Sequence, residues 1–120
     1  MARILIVDDE PANRLLVKTI LEHVGHEVAE AAGAAEAVRE LHEPLPDLAI
    51  VDLHLYGTSG VELIQKLRAD PKTNAVKIAL YTSSADDAAM RDFMAVHRIE
   101  HVIPKPCEPQ ELIAAVEAAL

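Results

Sequence analysis

Cysteine and aromatic residues are nearly absent from this chain of 120 residues. Its single cysteine, Cys107, excludes an internal disulfide and fits a reducing compartment. With only three aromatic side chains, the hydrophobic core must consist mainly of Ala, Val, Ile and Leu. A chain of this length can bury such a core without disulfides. We therefore expect a single domain spanning residues 1–120.

Long apolar runs and an excess of positive charge are also lacking. No apolar run approaches the roughly 18 residues of a membrane-spanning helix, and no signal-peptide pattern precedes the first strand. Twenty Asp and Glu against eleven Lys and Arg give a formal net charge of −9. That balance disfavours nonspecific binding to nucleic acids or anionic membranes. We accordingly expect a cytoplasmic protein that binds neither membrane nor nucleic acid directly.

Strand-like and helix-like segments alternate five times along the chain. Residues 4–7 and 48–51 are short apolar runs, typical of strands buried on both faces of a parallel sheet. Further strands are expected at 26–31, 76–81 and 101–103, the more polar 26–31 segment at an edge of the sheet. A helical pattern follows each strand. Five such βα units with right-handed crossovers predict a doubly wound α/β sheet.

The helical segments carry apolar residues at helical spacing, which indicates the face that packs on the sheet. Pro11 suits the first turn of the first helix, and Gly25 suits its C-terminal end. The expected core-facing stripes are Ala12, Leu16, Ile20 and Val24 in the first helix; Ala34, Ala37, Val38 and Leu41 in the second; Leu63, Ile64 and Leu67 in the third; Ala89, Phe93 and Val96 in the fourth; and Leu112, Ile113, Val116 and Leu120 in the fifth.

Acidic residues follow two of the buried strands. Asp8 and Asp9 come directly after residues 4–7, and Asp52 comes directly after residues 48–51. Ligands of open α/β sheets bind beyond the carboxyl ends of the strands, so neighbouring strands would crowd the three carboxylates together. Two such charges about 4 Å apart repel by about 4 kcal/mol at an effective dielectric near 20. A fold accepts this if a cation binds or one carboxyl stays protonated, and the cluster favours a hard divalent metal such as Mg²⁺.

Hydroxyls and a lysine are expected at the same rim of the sheet. Thr82 and Ser83 follow the fourth strand, and Lys105 follows the fifth. Phosphoryl chemistry on a metal needs such groups, because they neutralise and orient phosphoryl oxygens while a carboxylate can act as the nucleophile. Simpler interpretations remain open for each position. Asp8 and Asp9 could cap a helix, Thr82 and Ser83 could form a turn, and Lys105 could be a surface charge.

The order and spacing of Asp8-Asp9, Asp52, Thr82 and Lys105-Pro106 resemble the receiver domain of bacterial two-component response regulators. Gly60, eight residues after Asp52, also stands where that family usually has a glycine. The resemblance covers essentially the whole chain. It implies a flavodoxin-like (βα)5 fold with a doubly wound parallel sheet of five strands in the order 2-1-3-4-5.

The resemblance also implies roles for particular residues. Asp52 would be the phosphoacceptor, which attacks the phosphohistidine of a sensor kinase. Asp9 and Asp52 would bind Mg²⁺ directly, Asp8 would bind it mainly through water, and the backbone carbonyl of His54 would complete the set of ligands. Thr82 would move toward the phosphoryl group, Lys105 would contact a phosphoryl oxygen, and the bond from Lys105 to Pro106 would be cis. That movement would alter the surface on which partners dock.

A member of this family would be a signalling switch and not a turnover enzyme. Its catalysis would be limited to Mg²⁺-dependent self-phosphorylation and autodephosphorylation. The resemblance implies a sensor histidine kinase or a phosphotransfer protein as the phosphoryl donor and a downstream protein as the target. Some members also form homodimers, so a homodimer is compatible with the resemblance.

Several positions depart from the family pattern. Tyr56 stands where proline is usual, and Cys107 stands where an aromatic residue often follows Lys-Pro. Val102 replaces the usual aromatic residue three positions before the lysine, so an aromatic switch of the usual kind is not expected. An alternative hypothesis is therefore a degenerate receiver that acts as a phosphorylation-independent binding module. A third hypothesis is a phosphatase with an aspartyl intermediate; such enzymes commonly have an acid two residues after the nucleophile, where this chain has His54.

Overall fold

The computed structural model describes residues 2–53, 60–82, 88–105 and 107–120. Strands and helices alternate along these residues from the first strand to the last helix. The strands are β1 Arg3–Val7, β2 Glu27–Ala31, β3 Leu48–Asp52, β4 Lys77–Thr82 and β5 His101–Pro104. The helices are α1 Pro11–His23, α2 Ala34–Glu40, α3 Gly60–Ala69, α4 Ala88–Val96 and α5 Pro109–Ala119.

The five strands form one parallel sheet in the order β2-β1-β3-β4-β5. This order confirms the doubly wound topology and the edge position of β2. The strands β1 and β3 are neighbours, with Val7 opposite Val51. The acids at the carboxyl ends of these two strands are therefore brought to the same point of the rim.

Helices cover both faces of the sheet, and side chains of successive strand residues alternate between them. On one face, Ile6 and Ile50 pack with side chains of α1 and α5. We call this the α1–α5 face. On the other, Leu5 and Val51 pack with side chains of α2, α3 and α4, and we call it the α2–α4 face. Both layers are built almost entirely from aliphatic residues, as the composition predicts.

Helix α1 begins and ends at the expected residues. Pro11 lies in its first turn, where a missing N–H costs no helical hydrogen bond. Gly25 follows the C-cap residue Val24 and has a φ of 97°, in the left-handed region that favours glycine. The helix therefore ends in time for the chain to enter β2.

The predicted stripe of α1 is mostly wrong, because only Ile20 of its four members packs against the core. Its buried residues are Val17 and Leu21, whereas Leu16 is 52% exposed and Ala12 and Val24 are also exposed. Apolar residues occur almost all around this helix, so periodicity alone leaves its rotation undetermined. Packing against both the sheet and α5 selects the face that contains Val17 and Leu21.

The stripe of α4 is also partly wrong, whereas those of α3 and α5 are largely confirmed. Phe93 packs toward the core as expected, but its companions are Met90 and Met94, and Val96 is 71% exposed. In α2, Ala37 is buried and Val38 is exposed. The predicted residues of α3 are all buried, and in α5 Leu112 and Val116 are buried.

No helix of the described residues is both long and apolar enough to cross a membrane.

Candidate functional site

Three carboxylates meet at the carboxyl ends of β1 and β3. Asp8 directly follows β1 and is fully buried, Asp52 ends β3 and is 5% exposed, and Asp9 is half-buried. One carboxylate oxygen from each residue lies within 4.8 Å of the others. Charges this close repel strongly where water is largely excluded, and a nearby cation relieves that repulsion.

The ammonium of Lys105 lies among these carboxylates. Its Nζ donates to Oδ2 of Asp52 at 2.7 Å and lies 2.9 Å from Oδ2 of Asp8. The backbone N–H of Lys105 donates to the carbonyl of Thr82 at 3.0 Å, which ties the residue to the end of β4. Burial alone lowers the pKa of Lys105, but its contacts with Asp52 and Asp8 outweigh this and raise it. Lys105 is therefore a permanently charged partner of the acids and not a surface lysine.

Thr82 reaches the same rim as the last residue of β4. It is buried, and Tyr81, the residue before it, is the register partner of Asp52. The structure therefore places the predicted acids, Thr82 and Lys105 at one rim. The predicted carbonyl ligand at His54, the hydroxyl of Ser83 and the cis bond to Pro106 lie outside the described residues.

Hydrogen bonds hold Asp8 in place from both sides. Its N–H donates to the carbonyl of Ala31 on β2, and its Oδ1 accepts from the N–H of Glu10 at 2.9 Å. The second bond forms a turn at the N-terminus of α1, so a local structural role coexists with membership of the cluster. These two contacts direct Oδ2 of Asp8 toward Lys105.

Arg14 supports the acidic turn and was not predicted. From α1, its Nη1 donates to the backbone carbonyl of Asp8 at 2.7 Å, and its Nε lies 3.4 Å from Oε1 of Glu30 on β2. The guanidinium thus restrains the peptide group between Asp8 and Asp9. The available signal was a basic residue six positions after Asp8 on the adjoining helix, which is too common to interpret alone.

The donor set fits a hard divalent cation. Three carboxylates against one ammonium leave two formal negative charges, and the available ligand atoms are oxygens. Magnesium prefers carboxylate oxygens and keeps several waters, and Asp9, the most exposed of the three acids, borders the solvent. Asp8, Asp9 and Asp52 are therefore the described residues that could hold such an ion.

Comparison with known proteins agrees with this geometry. The response regulator receiver domain family matches residues 4–117. The phosphate regulon transcriptional regulatory protein PhoB of Rhizobium meliloti is 36% identical over the whole chain, which covers 52% of that protein. This chain spans about half the length of the curated PhoB relatives, represented also by the Escherichia coli protein at 32% identity and 51% coverage. PilH of Pseudomonas aeruginosa is 28% identical, with 98% of its length covered.

Solved structures show the same fold. TrrA of Thermotoga maritima, in complex with Mg²⁺–BeF, is 32% identical with a TM-score of 0.82, and each chain is covered completely. The chemotaxis protein CheY4 of Vibrio cholerae has a TM-score of 0.92 over the whole chain and 99% of its own; at 24% identity it supports the fold alone. The family match over residues 4–117, together with this fold and rim, shows that the chain belongs to the response regulator receiver domain family, the phosphoacceptor signalling switches of two-component systems.

Proposed function

We propose that this chain is a Mg²⁺-dependent switch whose phosphoacceptor is Asp52. The observation that carries the proposal is the contact between Lys105 and Asp52 at 2.7 Å, inside a cluster completed by Asp8 and Asp9. Asp52 lies on β3, the central strand of the sheet, and is flanked by Asp8 on one side and the end of β4 on the other. It is thus the carboxylate that all other groups of the rim surround.

Asp8 is a poorer nucleophile than Asp52. It is fully buried, whereas Asp52 is 5% exposed, and its Oδ1 accepts a hydrogen bond from the N–H of Glu10. In the proposed reaction an oxygen of Asp52 forms a bond to phosphorus while the bond from phosphorus to the donor's imidazole nitrogen breaks. The released imidazole takes up a proton. Asp8 and Asp9 would hold the metal ion beside Asp52.

The remaining residues would stabilise the phosphoryl group. Bound Mg²⁺, held by Asp8, Asp9, Asp52 and the carbonyl of His54, would neutralise charge on the phosphoryl oxygens. Lys105 already contacts Asp52 and would donate to a phosphoryl oxygen attached there. Thr82, at the end of β4, would donate a hydrogen bond from its hydroxyl to a phosphoryl oxygen. The Mg²⁺–BeF complex of TrrA supports this assignment through the relationship of the two chains.

We propose the partners and activities of a receiver domain for this chain. A sensor histidine kinase or phosphotransfer protein would donate the phosphoryl group, and a downstream protein would read the altered surface in the cytoplasm. Self-phosphorylation from a small donor and autodephosphorylation would be the catalytic activities. A homodimer is included among the proposed assemblies. The proposal is supported by the family match and by the net charge of −9, which disfavours direct nucleic-acid binding.

The test is phosphorylation by acetyl phosphate in the presence of Mg²⁺, followed by mass spectrometry of the intact protein. We expect the wild-type chain to gain one phosphoryl group, and chelation of Mg²⁺ or Asp52→Asn to abolish the gain. Asp92→Asn, an exposed acid on α4, is the matched control and should be phosphorylated normally. Phosphorylation that persists in Asp52→Asn refutes the assignment. A wild-type chain that gains no phosphate under these conditions supports the alternative of a phosphorylation-independent binding module.

A further inference from the structure

Lys105 reaches the acidic cluster by crossing a strand. It follows β5, whereas Asp52 and Asp8 lie at the ends of β3 and β1, and β4 lies between β5 and β3. Neighbouring strands are about 4.8 Å apart, so the lysine side chain must extend over β4 to reach Asp52. The β4 residue at that level is Tyr81, whose register partners are Asp52 on β3 and Ile103 on β5.

Tyr81 lies on the same face of the sheet as these groups. It belongs to the cluster of the α1–α5 face, together with Ile50 and Ile103. Asp52 stands two residues after Ile50 and Lys105 stands two residues after Ile103, so alternation directs their side chains to this face. The contact is close, because Nζ of Lys105 lies 4.8 Å from the centroid of the Tyr81 ring.

We propose that Tyr81 is a positioning residue for Lys105, and that the face of its ring holds the ammonium at the level of the acidic cluster. The negative face of an aromatic ring attracts a cation, and a buried platform limits the rotamers of a long side chain. Tyr81 is 4% exposed, and burial raises the pKa of its hydroxyl, so the ring stays neutral. The inference rests on the proposed function, because Lys105 acts there on the phosphoryl group.

This ring contact would be maintained when the acids acquire another cation. Asp8 and Asp52 hold Lys105 in the described structure, but both would also bind Mg²⁺ in the proposed site. The contact with Tyr81 involves no carboxylate, so it can keep Lys105 close to Asp52 while the acids are engaged. An aliphatic residue of similar volume would fill the same space without attracting the ammonium.

The first arm of the test measures the contact directly and requires no phosphorylation. In protein labelled at its five lysines, the ε-CH₂ signal that disappears in Lys105→Met identifies Lys105 in the NMR spectrum. We expect the Lys105 ε-protons to be shifted upfield by the ring in the wild type and in Tyr81→Phe. In Tyr81→Leu and Tyr81→Met they should move to the position of the other four lysines. Phe93→Leu, which removes a ring packed on the α2–α4 face, should leave the shift unchanged.

The second arm measures phosphorylation by acetyl phosphate and Mg²⁺ affinity by calorimetry. Loss of a cation–π contact predicts a rate about 3- to 30-fold lower in Tyr81→Leu and Tyr81→Met, with the wild-type rate retained by Tyr81→Phe. Mg²⁺ affinity should change little, because the candidate ligands of the ion are Asp8, Asp9 and Asp52 and do not include Tyr81. Circular dichroism identifies any variant that fails to fold. If Tyr81→Leu or Tyr81→Met does not fold, the one that folds decides the result.

Three results would overturn the inference. They are an unchanged Lys105 shift in both non-aromatic variants, a rate in Tyr81→Phe as low as in Tyr81→Leu, or a loss of Mg²⁺ affinity that parallels the loss of rate. A wild-type chain that is not phosphorylated at all would instead refute the proposed function. In that case the NMR arm still decides whether Tyr81 positions Lys105.

Discussion

The positive charge of Lys105 compensates the negative charge of the carboxylates at the rim. Its Nζ contacts Asp8, Asp52 and the ring of Tyr81, while its side chain is only 15% exposed. Burial opposes its charge, yet the two carboxylates raise the pKa of Lys105 above its ordinary value of 10.5. At neutral pH it is therefore a fixed positive charge and not an acid or a base. That property suits a group that stabilises phosphoryl oxygens.

We expect the metal-free protein to lose stability at alkaline pH because Lys105 releases its proton. A group whose pKa is raised by folding stabilises the fold fully below its unfolded pKa, here near 10.5. That contribution is lost as the pH rises through the higher folded value. Burial raises the pKa of Tyr81 above 10.0, which adds a loss of the same sign. Urea unfolding between about pH 8 and pH 12 should show a steeper decline for the wild type than for Lys105→Met.

Lys66→Met is the matched control for this experiment. Lys66 is exposed on α3, so its removal should leave the pH dependence of the free energy of unfolding unchanged. Equal slopes for the wild type and Lys105→Met would contradict the coupling between Lys105 and the acids.

At the scale of elements, α3 begins directly against the end of β3. The N–H of Gly60 donates to the carbonyl of Leu53 at 3.1 Å. A Cβ atom at Gly60 would lie 2.3 Å from the carbonyl oxygen of Asp52 and 2.8 Å from Cα of Leu53. Only glycine permits this approach of helix to strand. The glycine that the family resemblance identified thus has a steric reason next to the proposed phosphoacceptor.

Gly60→Ala should destabilise the protein and weaken its site. The added methyl group must push α3 away from β3 or displace the backbone of Asp52, at a cost of about 1–3 kcal/mol in the free energy of unfolding. Urea denaturation measures the loss, and acetyl phosphate labelling should show slower phosphorylation. In Gly33→Ala the new Cβ would meet nothing within 4 Å, so this variant is the control. The steric argument fails if Gly60→Ala is no more harmful than Gly33→Ala.

At the scale of the whole molecule, an acidic chain concentrates charge at one rim of its sheet. The formal net charge is −9, and the described rim contributes three carboxylates and one ammonium. An ion that binds there stabilises the folded state, because the unfolded chain does not assemble the three ligands. Mg²⁺ binding should therefore be measurable as an increase in the free energy of unfolding of the entire domain.

We expect Mg²⁺ to raise the melting temperature well beyond the effect of general charge screening. At 100 times its Kd, a ligand specific for the folded state adds about 2.7 kcal/mol to the free energy of unfolding. The melting temperature in MgCl₂ is compared with the melting temperature in NaCl of equal ionic strength, because both solutions screen surface charge to the same extent. Asp9→Asn should lose most of the Mg²⁺-specific increase, whereas Asp92→Asn should retain it. An equal increase in both salts would contradict a specific site.

The rim was largely predictable from local sequence features, but its supporting contacts were not. Asp8, Asp9 and Asp52 follow apolar strands, and the ends of parallel strands meet at one edge of a sheet. Arg14 and Tyr81 were missed because each looks ordinary in sequence, one as a helix arginine and the other as the end of an apolar run. Their roles depend on distances to residues on other strands.

The sequence by itself determined the order of strands and helices, the parallel sheet and the chemical groups at its rim. These follow from apolar runs, turn residues and acids placed directly after strands, all of which are local features. Only the tertiary structure decided that α1 buries Val17 and not Leu16, and that Tyr81 lies beneath Lys105. The physical reason is that helix rotation and side-chain contact are selected by neighbours distant in the chain, which bury one of several apolar faces that the sequence allows.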